Sequence, residues 1–104
     1  MEDKAEAVRW YRKAAEQGVA EAQCKLGECF FNGEGIDQDF AEAVKWFRLS
    51  ADQRYSEAQF KLGACYYHGL GVMENKTEAA KWYHLAAEQG NANARNALRK
   101  TGLY

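Results

Sequence analysis

Proline is absent from all 104 residues, so no position carries the fixed φ and missing amide that kink or stop a helix. Cysteine is scarce: Cys24, Cys29 and Cys65 are an odd count with no CxxC spacing. A disulfide framework calls for an even count and an oxidising compartment, so reduced thiols are expected. No apolar run approaches the roughly 18–20 residues of a membrane helix, which excludes insertion by a helix. Neither sign of charge is in excess, since 14 basic and 15 acidic side chains leave a net charge of −1. There is then no global field to recruit nucleic acid or an anionic membrane. The alternating pattern of a strand is also missing. Met1-Glu2-Asp3-Lys4 starts directly in a polar amphipathic pattern with no secretory signal, and a cytoplasmic location is expected.

What the chain has is repetition. Glu21-Ala22-Gln23-Cys24-Lys25-Leu26-Gly27 through Gly33-Glu34-Gly35-Ile36 returns 36 residues later as Glu57-Ala58-Gln59-Phe60-Lys61-Leu62-Gly63 through Gly69-Leu70-Gly71-Val72. Trp10, Trp46 and Trp82 keep the same offset, as do Gln17, Gln53 and Gln89, and Leu26, Leu62 and Leu98. Self-similarity at one period of this size marks a helical repeat array, whose units bury their apolar faces against each other.

Asp3-Lys4-Ala5-Glu6, Asp39-Phe40-Ala41-Glu42 and Asn75-Lys76-Thr77-Glu78 each place an Asx residue three before a Glu, the pattern of a reciprocal cap at a helix start. Apolar residues at helical spacing follow, as in Ala43, Trp46, Phe47 and Ser50. These helices should end near Gln17, Gln53 and Gln89. Gly18 and Gly90 then supply a left-handed residue. Arg54 stands at that place in the middle copy, so a side chain is expected at positive φ. Second helices are expected over Ala20–Asn32, Ser56–His68 and Ala92–Lys100. Gly27 and Gly63 sit mid-helix at a cost of about 1 kcal/mol, tolerated where another helix comes close. Arg99 holds the corresponding place in the third copy, and its helix is expected to face solvent. The Gly-x-Gly segments at Gly33–Gly35 and Gly69–Gly71 follow helices and lack a third glycine, so they read as turns rather than phosphate cradles.

The pattern A-x-x-x-L-G-x-x-Y/F-x-x-G-x-G-V/I, followed by D/N-x-x-E-A-x-x-W-Y/F-x-x-A-A-x-x-G, resembles the Sel1-like repeat, a longer relative of the tetratricopeptide repeat. It divides residues 1–104, one domain, into a half unit at 3–18, units at 20–54 and 56–90, and a partial unit at 92–104. The resemblance implies an all-α fold: an α-solenoid of six antiparallel helices in a right-handed superhelix. Secreted members of that family staple each repeat with paired cysteines, and some have been linked to β-lactam binding or hydrolysis. This chain lacks the pairing and any recognisable nucleophile–base pair, so a β-lactamase-like enzyme is a remote alternative and no catalytic residue is assigned.

Cys65 and His68 could lean toward one metal, but no set of four ligands accompanies them, and neither metal nor cofactor is expected. The basic ladder Arg9, Lys45, Lys81 with Arg12, Arg48, His84 has carboxylates three residues before the first set and four after the second. Such spacings suggest ion pairs on a solvated face rather than a nucleic-acid footprint. The three tryptophans, Phe30 and Tyr66 read as core, as do Cys29 and Cys65. By analogy with the tetratricopeptide architecture, Glu21, Cys24, Glu28, Phe31 and Asn32 adjoin Glu57, Phe60, Ala64, Tyr67 and His68 along a concave groove. Asn93, Asn96 and Lys100 complete its wall. The function expected is a non-catalytic scaffold or adaptor that holds a peptide or partner helix with apolar anchors and some positive charge. The alternative is self-association through exposed ends of the array.

Overall fold

The computed structural model describes residues 3–103. Asp3 opens the first helix, α1 (Lys4–Glu16), by accepting hydrogen bonds from the amides of Ala5 and Glu6. Asp39 and Asn75 do the same for Glu42 and Glu78 at the starts of α3 (Phe40–Asp52) and α5 (Lys76–Glu88). Only half of the reciprocal cap forms at these two internal starts. The Asp39 and Asn75 amides donate backward, to the carbonyls of Phe30 and Tyr66 at 2.8 and 2.9 Å. Those carbonyls belong to the last turns of α2 (Ala20–Asn32) and α4 (Ser56–His68), where helical acceptors would otherwise lack partners. The connection itself thus satisfies both helix ends. The chain closes with α6 (Ala92–Thr101), and no strand occurs among the described residues.

The turns out of α1, α3 and α5 share one geometry. The amides of Gly18 and Val19 reach back to the carbonyls of Ala15 and Ala14, and the same pair of bonds recurs at Arg54–Tyr55 and Gly90–Asn91. This double closure needs a left-handed residue. Gly18 and Gly90 adopt φ of 89° and 92°, and Arg54 adopts 67°.

Consecutive helices pack antiparallel into an array of 41 × 24 × 24 Å. The closest crossings are α2 with α3 and α4 with α5, and the mid-helix glycines are their cause. A methyl group on Gly27 would stand 2.7 Å from the Phe47 ring and 3.2 Å from the Ala43 carbonyl. On Gly63 it would meet Tyr83 at 2.8 Å and the Ala79 carbonyl at 3.3 Å. The second glycine of each Gly-x-Gly turn is explained the same way: Gly35 lies on the Lys4 carbonyl and Gly71 on that of Phe40. Each loop is seated on the first turn of the outer helix of the preceding unit.

A buried amide ladder sets the spacing between units. Gln23 donates to the Ala15 carbonyl at 3.2 Å and accepts from Gln53 at 3.0 Å; Gln53 also donates to the Gly18 carbonyl. One unit on, Gln59 donates to Ala51 and accepts from Gln89. Ser50, which replaces an alanine, is fully buried and donates to the Ala20 carbonyl at 2.7 Å. Its hydroxyl is therefore satisfied rather than stranded.

Three sequence expectations change here. Trp46 and Trp82 are core, but Trp10 is 63% exposed, because no earlier repeat covers α1 in this structure. Cys29 is half-buried whereas Cys65 is buried. Lys4 stands beside Cys29 where Phe40 stands one unit later, and a depression of about 220 Å³ remains there. The ion-pair ladder is mostly replaced as well. Among the described residues, Lys81 pairs with Glu78 at 4.0 Å and Lys4 with Glu34 at 3.5 Å. Arg12 and Arg48 instead lie over the Phe30 and Tyr66 rings at 5.7 and 5.5 Å, and His84 meets the Leu103 carbonyl at 3.1 Å. A guanidinium over a ring contributes about 0.5–2 kcal/mol, no less than the roughly 0–1 kcal/mol of an exposed ion pair.

Two stability outcomes follow from this packing. Gly63→Ala should lower stability by about 1–3 kcal/mol despite alanine's better helix propensity, because the crossing is overpacked. Arg54→Gly should raise it by up to about 1 kcal/mol, since the turn is retained and the strained φ relieved. Urea unfolding midpoints with unchanged slopes would measure both.

Candidate functional site

The inner helices α2, α4 and α6 share one face of the array, and two depressions run along it. The upper one, of about 190 Å³, lies between α2 and α4, lined by Glu28, Phe31, Asn32, Phe60 and Ala64 together with Phe47 and Lys61. A wider one of about 490 Å³ continues between α4 and α6. Its lining includes Phe60, Ala64, Tyr67, His68, Asn93, Asn96 and Lys100, with Tyr83, Ala97 and Thr101. Phe60 and Ala64 belong to both, so the two depressions form one trough.

Packing beneath the surface orients the aromatic rings. Phe31 packs at a tilt against Phe40, centroids 4.9 Å apart, and approaches Phe47 at 6.3 Å, and Phe60 sits 6.0 Å from Tyr83. Tyr67 meets the edge of His68 at 5.0 Å, with the Lys76 ammonium 5.3 Å from its ring. Phe31, Phe60 and Tyr67 are each half-buried, fixed on one side by the repeat and open on the other. Rigid, partly wet aromatic anchors of this kind are favoured at recognition surfaces.

Ten of the thirteen groove residues expected from the sequence line the trough. Glu21 and Glu57, in the first turns of α2 and α4, lie outside both depressions. Cys24 needs correction: it is 1% exposed, its thiol donating to the Glu28 carboxylate at 3.6 Å. Burial, with Glu28 and Glu57 nearby, pushes the Cys24 thiol pKa far up. It supports the floor and presents nothing to a ligand. Sequence reasoning missed Lys61, although it falls three residues before Ala64 on the same helical face. The buried rings of Phe47 and Tyr83, which pack on Gly27 and Gly63, also border the trough.

The trough has little of a catalytic centre. His68 is exposed while Cys65 is buried, so the two meet different surroundings. Among the described residues, no group of three or more His, Cys, Asp or Glu side chains could hold a metal. No described helix is long and apolar enough to cross a membrane.

A stack of helix pairs with a trough along its inner helices defines a helical-repeat binding module. A family model described as the Sel1 repeat matches residues 1–19, 20–55 and 56–91, and the chain belongs to that family. Its proteins are generally non-catalytic scaffolds for protein interactions. Solved structures agree in fold. The c5321 protective antigen of uropathogenic Escherichia coli is 46% identical, with a TM-score of 0.91 over 92% of this chain and 21% of its own. A Sel1 repeat protein from Oxalobacter formigenes is 44% identical, with a TM-score of 0.83 over 86% of this chain and 37% of its own. Helicobacter pylori cysteine-rich protein B, 24% identical, superposes with a TM-score of 0.82 over 88% of this chain and 68% of its own. The chain thus spans about a fifth and two fifths of the first two proteins. No curated protein matches it.

Thiol chemistry offers a check on this geometry. Burial pushes the Cys65 thiol up to about 11 from an ordinary 9.0, so the folded chain holds that proton more tightly than the unfolded one. The resulting stabilisation is fully present below pH 9 and is lost as pH rises toward about 11. At near-neutral pH, iodoacetamide should modify half-buried Cys29 before Cys24 or Cys65. Peptide mapping of a partial reaction would establish the order.

Proposed function

We propose that the trough is a non-catalytic docking site for a peptide or helix of a partner protein. The observation that carries this reading is the continuity of the two depressions through Phe60 and Ala64, floored by half-buried rings. The upper depression is smaller than the about 300–1,000 Å³ of typical small-molecule sites and suits one apolar side chain of a longer ligand. The polar groups around it change along the trough. Glu28 and Lys61 flank the upper end, and the amides of Asn93 and Asn96 with Lys100 flank the lower. A ligand with an apolar anchor over Phe31 and Phe60, a basic group beside Glu28 and backbone amides against the asparagines would use all of them.

The protein should capture a partner from lysate of its source cells. Phe31→Ala/Phe60→Ala/Tyr67→Ala, verified as folded by circular dichroism, should lose that partner at least tenfold. Retention by the folded triple variant would move binding away from the trough.

A further inference from the structure

The two depressions of the trough occupy equivalent places in successive units, yet their side chains differ in chemistry. Each lies over an outer helix packed between two inner ones, α3 between α2 and α4, and α5 between α4 and α6. Neither is therefore opened by an end of the array. One repeat on, Phe31 and Phe47 become Tyr67 and Tyr83, while Phe60 and Ala64 become Asn96 and Lys100. Glu28, the carboxylate lining the upper depression, becomes Ala64, and Lys61 becomes Ala97. An acid and a base over phenyl rings thus give way to a lysine, an amide and two phenols, with no carboxylate in the lining.

The inner helices themselves follow the same trend. α2 carries Glu21 and Glu28 against Lys25, and α4 carries Glu57 against Lys61. α6 carries Arg95, Arg99 and Lys100 and no carboxylate at all. The near-zero net charge of the whole chain conceals this gradient. Local contacts sharpen it by leaving donors rather than acceptors at the lower depression. The Asn96 amide oxygen accepts from Arg99 at 3.1 Å, so its N–H groups remain for a ligand. Burial, with Tyr67 and Cys65 nearby, pushes the Tyr83 hydroxyl up to about 12, which keeps it protonated. Thr101 stands outside this set, because its hydroxyl already donates to the Ala97 carbonyl at 2.7 Å.

We propose that the lower depression receives an aspartate or glutamate side chain of the docked segment, held by Lys100 and Asn96; this rests on the docking role given to the trough above. The carboxylate gains charge-assisted hydrogen bonds there and meets no like charge in the lining. Its neighbour on the ligand is the apolar anchor over Phe31 and Phe60. The two depressions lie on either side of α4, so about one helix diameter, roughly 10 Å, separates them. An extended segment advances about 3.3 Å per residue, which puts anchor and acid about two to four positions apart. A single-stranded nucleic acid fits this trough less well, because its backbone would carry phosphates past Glu28.

Selection from a phage-displayed library of random peptides on the purified protein tests this. Selected sequences should be enriched in an apolar residue with an aspartate or glutamate about two to four positions away. A synthetic copy of one such peptide should bind about tenfold more weakly once its acid is replaced by the amide. Amidating the C-terminus of that peptide should leave its affinity unchanged, because the bound group is an internal side chain. Lys100→Glu, at an exposed position, should weaken binding about tenfold and restore it to a peptide with lysine in place of the acid. Lys45→Glu, exposed on α3, makes the same change in net charge and should have no effect. Circular dichroism would verify that both variants fold. Selected peptides that lack an acid but are lost by Phe31→Ala/Phe60→Ala/Tyr67→Ala would overturn this proposal and leave docking in the trough intact. Peptides retained by that folded triple variant, or no enrichment at all, would overturn both. Equal losses in Lys45→Glu and Lys100→Glu, dependence on a free C-terminus, or displacement of the peptide by a thymidine oligonucleotide would each exclude a pocket for an acidic side chain.

Discussion

The close crossing of an inner helix on an outer one, at Gly27 against Phe47 and again at Gly63 against Tyr83, is the contact on which the array depends. A side chain on either glycine would lift the outer helix off the inner one. The loop that joins them is equally constrained, because Gly35 and Gly71 lie directly on the first turns of α1 and α3. Helix pair, loop and preceding unit are thus fixed by four glycines, each at a place where Cβ has no room. Aromatic residues fill the space those glycines open. The period of the sequence is a record of this alternation of no side chain and large side chain.

Polar contacts set what the apolar ones leave free. A stack of amphipathic helices could slide by a fraction of a turn at small hydrophobic cost. The buried amides of Gln23 and Gln59 forbid it, because each has its partners in only one register: a carbonyl at the end of the preceding outer helix and a glutamine amide from the next. A displaced unit would leave those groups buried and unpaired, a cost of about 1–3 kcal/mol each. Ser50 acts in the same sense through the Ala20 carbonyl. The trough depends on this register, since its floor is shared between neighbouring units at Phe60.

Most of the fold could be read from the sequence because each local signal recurs in phase, the Asx starts three times and the mid-helix and turn glycines twice each. The Asx starts, the glycine stops and the mid-helix glycines all meant what they mean in isolation, and even the positive φ of Arg54 followed from its place in the period. The misreadings came where the period says nothing. Trp10 matches Trp46 and Trp82 in sequence, but burial needs a neighbour, and periodicity does not supply one. Arg12 and Arg48 have carboxylates at ion-pairing distance along the helix, yet rings across the helix interface were the better partners. Helical spacing placed Cys24 near the groove without fixing its depth, and the packing of the core cluster around it leaves it only 1% exposed. The groove as a whole came from likeness to a related architecture, and only the coordinates show which of its residues share a surface.

Residues that keep the period build the array, and residues that break it give the array its individual surfaces. Phe31 and Phe40 pack together where Tyr67 and Lys76 meet one unit later, so the trough changes from apolar to polar along its length while its backbone repeats. Lys13 stands where Leu49 and Leu85 stand, and Arg99 where Gly27 and Gly63 stand, so α1 and α6 each differ from their counterparts by a charge. In a solenoid each unit contacts only its neighbours, so such departures act locally: a trough residue can change without disturbing the face of α1, and the reverse. That separability lets a repeated scaffold vary its surface one side chain at a time without losing its register.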